Sequence, residues 1–135
     1  PGYVILQGIA TRYSHWRSGV GSQLIRYFHQ RVRNRGKQRV TVGVAEDIKT
    51  ENFYLKNGYR PVQLCAKVPS DDLPVDFQEL GHAFAEVRDE GGYTILYVTT
   101  DGPDRSLQQN LKKDLRAEEV IFIMEIALGG EPVQL

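Results

Sequence analysis

The most informative segment of this chain is His15-Trp16-Arg17-Ser18-Gly19-Val20-Gly21-Ser22-Gln23-Leu24-Ile25. An apolar run before it predicts a strand over residues 3–11 that is buried on both faces. A glycine pair at this point lets the backbone turn tightly and leaves N–H groups unshielded. Helix N-termini add unpaired N–H donors and a partial positive charge. The stretch therefore predicts a phosphate cradle between a strand and a helix.

A plain strand–turn–helix connection stays open as the alternative, because glycine there also serves only to permit unusual backbone dihedrals. Two familiar phosphate loops do not fit. Walker A requires Lys-Ser/Thr after its last glycine, and Gln23 follows Ser22 here. A dinucleotide fingerprint requires a small residue three positions after its second glycine, where this chain has Leu24.

A second stretch lies downstream and reads Asn52-Phe53-Tyr54-Leu55-Lys56-Asn57-Gly58-Tyr59. Its pattern Phe-Tyr-x-Lys-x-Gly-Tyr, after Gly-Val-Gly-Ser-x-Leu-Ile upstream, resembles the GNAT superfamily of acetyl-CoA-dependent N-acetyltransferases. The resemblance covers roughly residues 3–66. It implies an α/β fold, a mixed sheet flanked by helices. It also implies that the N-terminal part of the usual domain, which builds the acceptor site, is missing from this sequence.

The remaining elements are predicted from hydrophobic periodicity. A helix is expected from Gly19 to about Asn34, with one apolar stripe every four residues. The stripe is formed by Val20, Leu24, Phe28 and Val32. Further predicted elements are a strand at 38–45, a helix at 48–57 capped by Asp47, and a strand at 59–67.

Residues 1–67 are predicted to form the acetyl-CoA-binding core, and residues 68–135 an extension that completes the same domain. The extension is expected to contribute helix–strand–helix–strand. Its first helix is predicted from Phe77, Leu80, Phe84 and Val87, ending at Gly91-Gly92. A strand at 93–99, a helix capped by Asp104 and a final strand at 120–128 follow. The extra elements cover a sheet edge, or another chain completes the fold; both arrangements stay open.

The resemblance also assigns residues to the cosubstrate, acetyl-CoA. Backbone contacts to the pantetheine arm fall to Ile9, Ala10 and Thr11. The pyrophosphate is expected to be surrounded by Arg17, Ser18, Gly19, Val20, Gly21 and Ser22. Asn52 is a further candidate for contact with the cosubstrate.

Tyr54 is the main catalytic candidate, because a phenol near the thioester sulfur can donate a proton or hydrogen bond to the departing thiolate. A purely structural aromatic residue is the alternative. The family often places a general base on the strand before the loop, but residues 3–11 contain no carboxylate. His15, Glu46 and Asp47 are substitutes in principle, and His29 is expected to face solvent. No metal site is predicted.

The charge balance is uneven along the chain. Residues 1–66 carry eleven Lys/Arg and three Asp/Glu, whereas residues 67–135 carry six and fourteen, and the whole chain is formally neutral. Neutrality argues against a general nucleic-acid partner, while the basic half suits a polyanionic ligand such as CoA. One cysteine, Cys65, and no long apolar run favour the cytoplasm and no membrane partner. A homo-oligomer or association with the missing N-terminal segment stays open.

These features give one main hypothesis, direct transfer of an acetyl group from acetyl-CoA to a primary amine of unknown class. A non-catalytic acyl-CoA-binding or interaction module on the same scaffold is the alternative. A third hypothesis is an unrelated α/β nucleotide-binding protein, since short motifs also occur by chance.

Overall fold

The computed structural model describes residues 3–6, 20–36 and 38–128. These residues form both helices and strands, and the predicted mixed α/β class is confirmed. In chain order the elements are β1 Tyr3–Leu6, α1 Val20–Asn34, β2 Arg39–Val44, α2 Ile48–Lys56, β3 Arg60–Pro69, β4 Phe84–Glu90, β5 Tyr93–Thr99, α3 Arg105–Leu115 and β6 Glu119–Ala127. None of the helices within these residues is long and apolar enough to cross a membrane.

Backbone contacts divide the chain into two compact units. The first comprises Pro1–Arg60 and Met124–Leu135, and the second comprises Pro61–Ile123. The strand β6 contributes residues to both units, because the division falls within it.

The first unit contains a parallel strand pair joined through a helix. β1 and β2 run parallel, with Tyr3 opposite Arg39 and Leu6 opposite Val42. Parallel neighbours need a crossover connection, and the chain between them contains α1. On β2, Val40, Val42 and Val44 are buried while the residues between them are not. This alternation is the period of two that predicts a half-buried strand.

The buried face of α1 differs from the predicted stripe. Leu24 is 46% exposed, so the predicted row of residues spaced by four is wrong at that position. The buried positions described on this helix are Gly21, Ile25, His29 and Val32, so the predicted stripe is confirmed at Val32. In a helix of 3.6 residues per turn, a step of three after two steps of four brings Val32 back to the face of Gly21 and Ile25.

The second unit is built around antiparallel pairs. β3 pairs with β5, with Gln63 opposite Thr99 at one end and Pro69 opposite Tyr93 at the other. β5 also pairs with β4. The helix α3 begins after Asp104, whose carboxylate accepts a hydrogen bond from the Leu107 N–H, as its predicted capping role requires. Large side chains from both strand and helix are fully buried in this unit, among them Leu64, Leu96, Leu111, Leu115 and Phe122.

The helix predicted from Phe77 to Val87 is wrong. A short turn at Phe77–Glu79 is followed by β4, which begins at Phe84. Gly91 and Gly92 do not end a helix; they adopt φ of 58° and 88° in the tight turn between β4 and β5. Two adjacent positive φ angles match the twist of a two-residue hairpin, which explains why the segment pairs as a strand.

Candidate active site

Capping at both ends fixes the short helix α2. At its start, Asp47 Oδ2 accepts hydrogen bonds from Thr50 N at 3.0 Å and Thr50 Oγ1 at 2.6 Å, so the predicted cap is confirmed. At its end, Gly58 adopts φ +91°, a left-handed conformation that favours glycine. Gly58 N donates to Leu55 O at 3.1 Å, and Tyr59 N donates to Tyr54 O at 3.0 Å. These two bonds define a Schellman motif, which turns the chain back so that Tyr59 meets Tyr54.

Two aromatic rings, those of Phe53 and Tyr59, pack against Tyr54. The Tyr54 side chain is fully buried, with 0% of the residue exposed. Its ring meets Phe53 at a centroid distance of 5.2 Å and Tyr59 at 5.1 Å, both with an interplanar angle of 83°. Edge-to-face packing of this kind is favourable beyond the burial of apolar area. The orientation of Tyr54 is therefore set by ring contacts.

The hydroxyl of Tyr54 has no hydrogen-bond partner among the described residues. No other buried side-chain oxygen or nitrogen in the described part of the chain shares this property. Leaving a buried hydroxyl unpaired costs roughly 1–3 kcal/mol, so native structures seldom do so without a functional reason. Burial raises the pKa of the Tyr54 phenol well above its usual value, which keeps the hydroxyl neutral and able to donate.

Tyr59 connects this cluster to α1 through a buried hydrogen bond. The Tyr59 hydroxyl lies 2.7 Å from His29 Nε2, and His29 is only 7% exposed. The expectation that His29 faces solvent is therefore wrong. Desolvation and the charge of Arg33 lower the pKa of His29 below its usual value, so the imidazole is neutral at pH 7. Its position four after Ile25 and three before Val32 is the sequence signal for this buried face.

The predicted cradle is described only at its helical end. Val20, Gly21 and Ser22 lie in the first turn of α1, Gly21 is buried, and no acidic residue occupies that turn. The other cosubstrate-binding candidates on or before the loop lie outside the described residues. They are Ile9, Ala10, Thr11, Arg17, Ser18 and Gly19, together with the possible base His15. Their assignments stay predictions.

Asn52 on α2 and Asp47 beside it are exposed, unlike Tyr54. Asn52 is exposed, and two positions along a helix turn a side chain by about 200°, so it lies on another face than the buried Tyr54. The hydrogen bonds from the Thr50 side chain and backbone lower the pKa of Asp47 below its usual value. A carboxylate that is both a helix cap and a weaker base than usual is poorly suited to removing a proton from an amine near neutral pH.

Sequence patterns did not single out a further carboxylate on α2. Glu51 is 1% exposed and lies three positions before Tyr54. Ordinary helical periodicity gives no reason to expect an acid at a buried position, because charged residues are rarely fully buried.

Within the described residues, no three His, Cys, Asp or Glu side chains form a group that could hold a metal ion.

Comparison with known protein families agrees with the sequence motifs. The model described as Acetyltransferase (GNAT) family matches residues 1–59. The matched segment is somewhat under half of the 135-residue chain and contains both the glycine pair and the Phe-Tyr-x-Lys-x-Gly-Tyr pattern. The resemblance inferred from those residues is thereby confirmed for this segment. Comparison with curated proteins and with solved structures finds no significant match.

Proposed function

Because residues 1–59 match the acetyltransferase (GNAT) family, we propose that this chain is an N-acetyltransferase that moves the acetyl group of acetyl-CoA directly to a primary amine. The family match supports acyltransferase activity in general. The observation that carries the proposal is the Tyr54 hydroxyl, which is fully buried and has no partner among the described residues. A group kept in this state is available for a ligand rather than for the fold.

The proposed chemistry assigns a defined task to Tyr54. The amine nitrogen forms a bond to the thioester carbonyl carbon, the carbon–sulfur bond breaks, and the electron pair leaves on sulfur. Since burial keeps Tyr54 neutral, its hydroxyl can donate a hydrogen bond or a proton to that sulfur as charge develops. The proton of the attacking amine leaves to water or to a base that the family motifs do not identify.

The proposed binding site for acetyl-CoA uses residues that follow β1 in the sequence and residues at the start of α1. Backbone groups of Ile9, Ala10 and Thr11 are assigned to the pantetheine arm, in line with the family resemblance. Residues 17–22 are assigned to the pyrophosphate, for which the helix N-terminus supplies N–H donors and a favourable dipole. Asn52 stays a candidate for contact with the cosubstrate at the exposed surface of α2.

A non-catalytic acyl-CoA-binding module is the second candidate function. It is favoured by the absence of a carboxylate in residues 3–11 and by the engagement of Asp47 as a helix cap. Both features remove groups that could act as the general base.

We also propose that the chain acts in the cytoplasm. Its proposed partner is an amine acceptor, and neither a nucleic acid nor a membrane is proposed as a partner.

Calorimetric titration with acetyl-CoA, CoA and ATP tests the binding part of the proposal. We expect acetyl-CoA and CoA to bind and ATP not to bind. A turnover assay that detects free thiol follows, using an N-terminal peptide amine, a lysine peptide and a polyamine as acceptors. CoA binding with no turnover of any acceptor would favour the non-catalytic module, and ATP binding without CoA binding would exclude both.

A further inference from the structure

We infer that His29, acting through Tyr59, is a positioning residue that fixes the ring of Tyr54. The inference rests on the proposed function, because positioning matters only if the Tyr54 hydroxyl meets a substrate. The family motifs do not include a histidine on α1. The inference comes from the buried contacts that link α1 to the end of α2.

The orientation of Tyr54 depends on its neighbours more than on its own polar group. Its hydroxyl has no partner among the described residues to hold it, so rotation of the ring is limited by packing. The ring of Tyr59 supplies one side of that packing at 5.1 Å. Whatever holds Tyr59 in place therefore also limits where the Tyr54 hydroxyl points.

Tyr59 is held in turn by His29. The 2.7 Å hydrogen bond joins two residues thirty positions apart, and the two rings lie 5.5 Å apart at 39°. Both side chains are buried, where a hydrogen bond is stronger and more costly to leave unmade than in water. Since α1 also begins at the proposed phosphate cradle, the same helix carries the site for the cosubstrate and the support for Tyr54.

Two variants distinguish a positioning role of His29 from a role in stability alone. Tyr59→Phe removes the hydroxyl but keeps the ring, and leaves the His29 nitrogen without that partner. His29→Leu combined with Tyr59→Phe removes both polar groups, so the free energy of unfolding is expected to return close to that of the wild type. We expect kcat to fall about tenfold in both proteins, with KM for acetyl-CoA unchanged, because small displacements of catalytic groups are costly.

His29→Gln is the conservative variant, because its amide can still reach a buried hydroxyl, and kcat should be largely retained. Gln30→Ala, at the adjacent exposed position, is the matched control and should change neither kcat nor stability. In the Tyr54→Phe background, adding Tyr59→Phe should lower kcat no further. Recovery of kcat together with stability in the double variant His29→Leu, Tyr59→Phe would overturn the inference.

A readout independent of turnover separates this inference from the proposed function. Meta-fluorotyrosine placed at position 54 should give one narrow fluorine NMR signal in the wild type and in His29→Gln. In Tyr59→Phe the signal should broaden or split, because the ring samples more than one orientation. An unchanged signal in a folded Tyr59→Phe protein would overturn the inference. Absence of turnover with a broadened signal would instead remove only the proposed function.

Discussion

In the second unit, buried polar side chains are paired within the fold, whereas in the first unit one of them is not. Gln108 donates from Nε2 to the Val120 carbonyl at 2.9 Å. Thr94 Oγ1 lies 2.9 Å from Ser70 Oγ. Tyr54, by contrast, is just as buried, yet its hydroxyl has no partner in the described part of the chain. Under the proposed function, the second unit uses its buried polar groups for stability, while the first unit keeps the Tyr54 hydroxyl for the reaction.

Tyr54→Phe should give the largest departure from wild-type activity. We expect kcat to fall about 100-fold, the lower end of the range for a lost general acid. The free energy of unfolding should stay the same or rise, because the variant removes a buried hydroxyl that has no partner within the described residues. Turnover and denaturant unfolding, measured on the same preparation, check both parts. A clear loss of stability would mean that the hydroxyl is structural and would erase the contrast between the units.

Gly58, in the Schellman motif of the first unit, can be compared with Gly102 of the second unit, which has a similar φ. A Cβ at Gly58 would lie 3.1 Å from Ile126 Cδ1, whereas a Cβ at Gly102 meets nothing within 4 Å. Both have positive φ, so alanine is strained at either site by about 1 kcal/mol. We expect Gly58→Ala to cost about 2 kcal/mol because the contact adds to the strain. Thermal unfolding measures both costs, and equal losses would contradict the role of the Ile126 contact.

Gly21→Val tests the proposed phosphate cradle at the start of α1. The start of α3, in the second unit, serves as the comparison. α3 is capped by the carboxylate of Asp104, while the first turn of α1 contains no acid and is proposed to face a pyrophosphate. We expect Gly21→Val to weaken CoA binding about tenfold, or about 1.4 kcal/mol, by obstructing the N–H groups. Some loss of stability is also expected because Gly21 is buried. Ser106→Val, at the second position of α3, should leave affinity unchanged.

Calorimetric CoA titration and thermal unfolding on these two variants separate the effects. Unchanged affinity in a folded Gly21→Val protein would remove the phosphate-loop assignment.

Gln108→Leu should show the opposite behaviour to Tyr54→Phe. It removes a donor that is used within the fold, so the free energy of unfolding should fall by about 1 kcal/mol while turnover is unchanged. Urea unfolding and the thiol-release assay provide the comparison. Reduced kcat at wild-type stability would show that polar groups of the second unit also serve the reaction.

The smallest expected effect is the dependence of stability on pH through His29. Its folded pKa lies below its usual 6.5, so the unfolded chain takes up a proton first as the solution is acidified. The stabilisation by neutral His29 is therefore complete above pH 6.5 and is lost as the pH falls through the lowered pKa. His29→Gln should be less sensitive to acid over that range. Parallel urea midpoints of the two proteins at several pH values measure the difference.

Local signals account for the parts of the fold that the sequence predicts well. Asp47 and Asp104 cap helices through bonds to residues three positions away, and such short-range chemistry is visible in the sequence. The strand at Tyr93–Thr99 likewise follows from its β-branched and aromatic content. Tyr54 can be identified from the sequence because it lies within the pattern Phe-Tyr-x-Lys-x-Gly-Tyr.

Long-range contacts explain what the sequence does not reveal. The His29–Tyr59 bond spans thirty residues, and no local pattern pairs them. The sequence around β4 predicts a helix because four apolar residues, Phe77, Leu80, Phe84 and Val87, have helical spacing. The adjacent glycines at 91 and 92 form a turn. That turn becomes informative only when β4 and β5 are considered together as a hairpin.

β4 lies at an edge of the sheet. It pairs with β5 on one side, and no strand of the described residues pairs with its other edge. An incoming strand would have to approach side chains that include Glu86, Arg88, Asp89 and Glu90. Arg88 already bridges Glu86 at 3.5 Å and Glu90 at 3.0 Å, which holds charge along the exposed strand. Such a charged edge is a poor template for pairing with a strand of another molecule.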